Sequence, residues 1–148
     1  MVRKYSEIFV SRLGGPLLAE TLTSGLSDPD RHRLTKIMRN RQYEKGDSIF
    51  STGNVPNEIV VLANGTAELI GGADARNVAM GELFGLTETL AEAKFCASMI
   101  AVTDCDVDVI GRDDLIEYLR STPEACFRSL AAVAENLHHA QDKAAEDA

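Results

Sequence analysis

Ile59-Val60-Val61-Leu62-Ala63-Asn64-Gly65-Thr66-Ala67-Glu68-Leu69-Ile70 is the stretch from which the fold is read. Two short runs of strand-forming residues flank Asn64-Gly65, and that dipeptide accepts the positive φ angles of a two-residue turn, so the segment reads as a β-hairpin. Outward from it, glycines recur at Gly46, Gly53, Gly71-Gly72, Gly81 and Gly85, while from about Arg39 apolar and polar residues alternate. Short strands joined by tight turns account for both features. Ala97 to Val102 and Cys105 to Ile110 read as two further strands, bounded by Thr103-Asp104 and by Gly111.

Helical periodicity flanks this strand-rich centre. Ser27-Asp28-Pro29-Asp30 combines a cap, a first-turn proline and acids favoured by the helix dipole, and Leu34, Ile37 and Met38 follow as an apolar stripe. Upstream, Leu13-Gly14-Gly15-Pro16 breaks any helix begun near Ser6, so the N-terminal segment reads as two short helical pieces. After Gly111 a helix runs from Asp113 to Arg120. A longer one follows Pro123, with Ser121 or Thr122 as cap and Glu124 as the acid of a capping box. Phe127, Leu130, Ala134 and Leu137 form one seam of this last helix, and Cys126, Leu130, Val133, Leu137 and Ala140 an adjacent one. Each seam has the 3-4 spacing of a coiled coil, so one is expected to pack on the strands and the other on a second copy of the chain. A single-sided surface helix ending in a frayed acidic tail is the alternative. The expected organisation is a helical segment at 1–25, a β-rich domain at 26–122, and a dimerisation helix with its tail at 123–148.

The chain has 148 residues, 45% of them apolar and 26% charged, which suits one domain able to bury its own core without disulfides or a structural metal. Its longest apolar run, Ile59 to Ala63, is far short of the roughly 20 residues of a membrane helix. Val2-Arg3-Lys4 is followed by Tyr5, Ser6 and Glu7 rather than by an apolar secretion signal, and Cys96, Cys105 and Cys126 form no C-x-x-C pair, so the reading is cytoplasmic with reduced thiols. The net charge is -8, and residues 82–148 hold 14 acids against 5 bases. That field opposes duplex binding by this chain alone. The basic run Arg31, Arg33, Lys36, Arg39, Arg41 and Lys45 reads as a solvated helix face followed by a strand.

Catalytic and metal chemistry find little footing. Asp104, Asp106 and Asp108 match the first positions of a calcium loop, but Val109 and Leu115 stand where it needs glycine and glutamate. Their alternation with Cys105, Val107 and Val109 is that of a half-buried strand with its acids turned to water. His138 and His139 are adjacent on a helix and point about 100° apart, unlike ligands of one metal. No nucleophile, base and orienting group assemble, so neither enzyme activity, nor a cofactor, nor a metal is expected. Between Gly81 and Ala101, however, a short helix from Leu86 to Ala91 is inserted among strands, with Gly85 at its start. Amides at such a start suit an anion.

Together these residues resemble the cyclic-nucleotide-binding domain, and within it the effector domain of CRP/FNR-like regulators. Tyr43-Glu44-Lys45-Gly46-Asp47-Ser48-Ile49-Phe50-Ser51-Thr52-Gly53 is similar to the family's F-x-K-G-D-x-I-F-x-x-G, and Gly53 to Gly65 follows its G-D-x-x-x-x-hydrophobic(4)-x-x-G spacing. Gly81-Glu82-Leu83-Phe84-Gly85 resembles the G-x-x-F-G that opens the phosphate-binding cassette, and Phe95-Cys96-Ala97-Ser98-Met99 falls on the R-[ST]-A-[ST]-V that closes it. The resemblance implies a jelly-roll-like β-roll with N-terminal helices and a long C-terminal helix. It also implies a dimer through Phe127, Leu130, Val133, Ala134 and Leu137, and a ligand site at Gly85, Leu86, Thr87, Lys94, Phe95, Cys96 and Ala97, reached from the long helix by Asn136 or His138.

Two positions depart from the pattern. Leu86 stands where the family's glutamate holds the ribose, and Phe95 where its arginine pairs with the cyclic phosphate. Losing two charge-assisted bonds of about 1.5–3 kcal/mol each weakens cAMP by roughly a hundred- to ten-thousandfold. Lys94 is one position early and offers only a point charge in compensation. The expected function is a non-enzymatic regulatory module that senses a small effector other than cAMP or relays a signal as a dimer. A ligand-free dimerising protein that regulates a partner protein by pairing, or a nucleotide binder using Lys94, are the alternatives. Residues 1–95 contain no cysteine, which excludes an N-terminal iron-sulfur route, and no helix-turn-helix is read after His139.

Overall fold

The computed structural model describes residues 17–18, 22, 25–71 and 75–147, and of 17, 18, 136 and 139–147 the backbone alone. In chain order it contains β1 (Leu17–Leu18), α1 (Asp28–Ile37), β2 (Arg39–Tyr43), β3 (Ser48–Phe50), β4 (Glu58–Asn64), β5 (Ala67–Ile70) and β6 (Arg76–Val78). There follow β7 (Glu82–Phe84), α2 (Leu86–Ala91), β8 (Ser98–Ala101), β9 (Cys105–Gly111), α3 (Arg112–Ser121) and α4 (Pro123–Asp147). No helix among the described residues is long and apolar enough to cross a membrane.

The strands form two antiparallel sheets, ordered β1-β7-β4-β9-β2 and β3-β8-β5-β6. The chain bends at Gly65 (φ +98°), but Asn64 stays in β4 without the positive φ of the predicted turn, and the predicted hairpin does not form: β4 pairs with β7 and β9, whereas β5 pairs with β6 and β8 in the other sheet. The cause lies in β4 itself. Ile59 and Val61 pack against the helices while Val60 and Leu62 face the second sheet, so both faces of this strand need cover. A strand apolar on both faces belongs in the middle of a layered structure. The chain therefore leaves it by crossing to the opposite sheet.

Three such crossings meet at one end of the roll. Thr66 accepts from the amides of Val102 (2.8 Å) and Thr103 (3.2 Å) and donates its own to Thr103 Oγ1 (3.0 Å). Gly46 donates to Ala101 (2.8 Å), and the Lys45 amide to the Asp104 carboxylate (3.0 Å). A Cβ at Gly65, where φ is +98°, would stand 2.4 Å from the Asp104 carbonyl oxygen, so the corner admits glycine alone.

The first sheet separates two apolar cores. Leu22, Leu26, Leu34, Leu83, Leu86, Ile110, Leu115, Tyr118 and Ala125 lie on its helix side, with Ile37 and Met38 at the margin. Ile49, Leu69, Val78, Met99, Val107 and Val109 lie inside the roll. Asp108 corrects the expectation that the acids of β9 face water: β9 is flanked by β4 and β2, and Asp108 is only 5% exposed, taking a 3.4 Å bond from Asn40 Nδ2. Within the roll, buried Glu82 is satisfied by Arg76 (2.7 Å) and by the Ala79 amide (2.7 Å).

Ser27 caps α1 by accepting from the Asp30 amide, as the sequence predicts. The N-terminal helical pieces fall mostly outside the described residues. Where the chain is described, Leu17–Leu18 is instead a strand on the free edge of β7. Helix α4 begins at Pro123 as expected, but no capping side-chain bond forms: Thr122 Oγ1 is buried and unpartnered. Its seams also differ from expectation. Thr122, Ala125, Ser129 and Val133 turn toward the roll, and these small residues let the helix lie close. Phe127, Leu130 and Leu137 are 67%, 67% and 60% exposed, and Cys126 and Ala134 are exposed too, so among the seam residues whose side chains are described only Val133 packs on its own chain, and the side chain of Ala140 lies outside them.

Candidate ligand cassette

The cassette is the loop-and-helix segment between β7 and β8. Gly85, at φ +90°, ends β7 and starts α2, and the position of its missing Cβ lies 3.2 Å from the Glu58 carbonyl oxygen and 3.4 Å from Phe95 Cζ. Helix α2 is held from beneath by Thr89, which is fully buried and whose Oγ1 donates to the Glu58 carbonyl at 3.2 Å. The helix ends at Glu92 in a left-handed turn (φ 55°), and a return segment leads to Phe95. There the chain is pinned on both sides, Phe95 donating to Asn54 and Gly53 donating to Phe95, each at 2.9 Å.

These bonds aim the Phe95 ring inward. It is 8% exposed and stacks on Phe50, with ring centroids 4.0 Å apart and planes 17° apart, and Phe50 in turn meets Phe84 at 5.6 Å. Leu86 is fully buried and belongs to the helix-side core with Leu115 and Ala125. The two positions that would carry charge in the resembled pattern therefore carry hydrocarbon packed against hydrocarbon. Lys94, Thr87 and Cys96 are exposed and Ala97 half-buried. His138 lies exposed on α4, and the side chain of Asn136 falls outside the described residues. Among the described residues no three His, Cys, Asp or Glu side chains converge as metal ligands would.

Sequence reading missed Phe50 and Phe84 as cassette residues, although both stand in the motifs it used, because a motif does not show which side of a strand faces inward. It also missed Glu58, Thr89 and Arg112 beneath the cassette. Arg41 grips the Glu58 carboxylate at 2.5 and 3.2 Å, and this bonding, with that to Tyr43, raises the Arg41 guanidinium above the usual arginine range. Burial pushes the Cys105 thiol up, which makes it a core group rather than a nucleophile.

A β-roll with a short helix set between β7 and β8, passing the chain to a long exposed helix, is the architecture of CRP/FNR-type effector domains. The family model "Cyclic nucleotide-binding domain" matches residues 40–122, and the chain belongs to this family. It is 28% identical over 125 residues to the cyclic AMP receptor protein of Thermus thermophilus, covering 80% of this chain and 58% of that protein. The crystal structure of the Thermus thermophilus catabolite activator protein superposes with a TM-score of 0.73 at 27% identity, over 83% of this chain and 61% of that one. The N-terminal domain of a transcriptional regulator from Streptomyces coelicolor A3(2) has the same fold, with a TM-score of 0.64 at 24% identity over 84% and 93% of the two chains. The chain thus spans about three fifths of the Thermus protein.

Proposed function

We propose that the chain is a non-enzymatic regulatory module that pairs through α4 and whose cassette selects against cyclic phosphates. The single observation that carries this is the Phe95 ring, stacked on Phe50 beside Gly85 at the position where the resembled pattern places an arginine. A phosphate brought there would be desolvated without a cation, and burying an unpaired charge costs several kcal/mol or more. Lys94 is exposed, which speaks against its reaching inward as a substitute. A candidate effector is small, uncharged and apolar enough to lie against Phe50, Phe84 and Phe95. The acidic second half of the chain speaks against duplex binding by these residues.

Pairing is supported by the outward row Phe127, Leu130 and Leu137, which leaves large apolar side chains in water at coiled-coil spacing. A second reading, a ligand-free relay acting on a protein partner, is favoured by the same stack, since Phe95 already fills the position beside Gly85. Titration calorimetry separates them. We expect no heat with cAMP or cGMP, and heat with one member of a panel of neutral apolar metabolites if an effector is sensed. Silence throughout favours the ligand-free relay. Tight cAMP binding that is lost in Lys94→Ala overturns both.

A further inference from the structure

We propose that Arg112 is the positioning residue that couples the cassette helix α2 to α3, an inference that rests on reading the chain as a relay. Arg112 is the first residue of α3 and makes three contacts away from its own helix. Its amide donates to the Asn57 carbonyl at 2.9 Å, its Nε donates to the Thr89 carbonyl at 3.0 Å, and its second guanidinium arm lies 3.5 Å from the Glu92 carboxylate. Thr89 and Glu92 belong to the C-terminal end of α2, whose carbonyls lack helical partners and whose dipole favours a cation. One planar fork therefore holds the end of α2 to the beginning of α3, which a lysine would hold at a single point.

Glu58 is the surface on which this clamp works. Its carbonyl accepts from Thr89 Oγ1 and lies 3.2 Å from the vacant Cβ position of Gly85, so both turns of α2 rest on it. Glu58 pairs with Gly111, the residue before Arg112, and its carboxylate is gripped by Arg41. A displacement of α2 that leaves Glu58 in place must move the Thr89 carbonyl and the Glu92 carboxylate relative to Arg112. The pull falls on the first residue of α3, and α3 leads into α4 through Thr122. A competing apolar route exists, because Leu86 shares a core with Leu115, Leu119 and Ala125. Coupling along a named residue needs a double-mutant test that tells the two apart.

The test is amide hydrogen exchange on the full chain, with Phe95→Leu as the disturbance and Phe84→Leu in its place should that variant not fold. With Arg112 intact, the disturbance should accelerate exchange in 86–91 and in 112–121 alike, by about threefold or more. In Arg112→Gln the acceleration should stay within 86–91, and in Arg112→Lys it should reach α3 at reduced size. Equal acceleration of α3 in all three backgrounds assigns the coupling to the apolar route and overturns the role of Arg112. Uniformly faster exchange throughout the roll in Arg112→Gln alone also overturns it, since the residue is then merely structural. Silence of α3 with Arg112 intact means that the cassette does not signal to the helices, and there the relay reading itself fails.

Discussion

Replacing Phe95 with alanine isolates what the aromatic stack contributes. The ring is 8% exposed and pressed on Phe50 at 4.0 Å, so its removal deletes nearly a full benzyl group of buried surface and one offset aromatic contact. Burial of this kind costs about 3–5 kcal/mol when truncated, of which about 0.5–1.5 kcal/mol belongs to the aromatic pair. The main-chain bonds of residue 95 to Gly53 and Asn54 survive the substitution, so the loss should come from the side chain and the cavity it leaves. With a urea dependence of about 2 kcal/mol per molar, the unfolding midpoint should fall by about 2 M. The space left lies against Phe50 and the Gly85 backbone, and benzene or indole filling it should raise the midpoint again as ligand concentration rises. A loss below about 1 kcal/mol would mean that the ring is not buried in solution and that the cassette is open, which refutes the reasoning from a filled pocket.

Leu130→Asp should leave a folded monomer. Each Leu130 is 67% exposed in the single chain, and placing two carboxylates in a paired seam forfeits about 4 kcal/mol, a dimer constant weaker by about a thousandfold in sedimentation velocity; an unchanged dimer moves the interface off α4. Gly65→Ala should cost about 2 kcal/mol or more in thermal unfolding, because a Cβ at φ +98° meets the Asp104 carbonyl oxygen at 2.4 Å, and a neutral result would show that the three crossings do not meet there. Tyr118 gives a pH signature: burial, and then Asp30, push its phenol from 10.0 up to about 12, with Arg33 opposing. The folded state holds that proton more tightly, so this contribution is complete below pH 10.0 and disappears as pH rises through about 12. Stability should therefore fall by about 3 kcal/mol across that window, and Tyr118→Phe should flatten the fall.

The parts of the fold legible in the sequence are those where one residue type solves a local backbone problem. Ser27 before Pro29 marks the start of α1, Gly85 before Leu86 marks α2, and Pro123 marks α4, all of which stand in the structure where these residues place them. Gly65 is legible as a bend and illegible as a connection. A two-residue turn has the same chemistry whether the next strand folds back beside β4 or crosses to the other sheet, and only the apolar run Ile59 to Leu62, buried on both faces, decides between them. The site divides in the same way. That Leu86 and Phe95 are apolar can be read from the residues, but the stack with Phe50 arises between β3 and the return segment after α2, a contact across 45 positions of chain that no local pattern encodes.

The same division separates what the backbone of the cassette requires from what its side chains fill. Gly65 and Gly85 serve the backbone: a Cβ at Gly65 would stand 2.4 Å from the Asp104 carbonyl, and Gly85 lets β7 turn into α2 at φ +90°, where a side chain is strained and would press on the Glu58 carbonyl at 3.2 Å. Positions 86 and 95 carry no such backbone constraint: Leu86 packs into the helix-side core with Leu115 and Ala125, and Phe95 stacks on Phe50. Both ends of the cassette are thus held by packing, α2 from Leu86 and the return segment from Phe95. The stack itself should be insensitive to ionic strength, because salt screens charges and leaves apolar contacts intact, whereas the pair of Arg112 with Glu92, 71% exposed, should be screened. Repeating the Phe95→Leu exchange measurement in low and high salt examines this directly: the acceleration in 86–91 should hold while the share of the α3 response carried by Arg112 and Glu92 shrinks, and an acceleration in 86–91 that itself shrinks as salt rises would place exposed charge, not the stack, in control of α2.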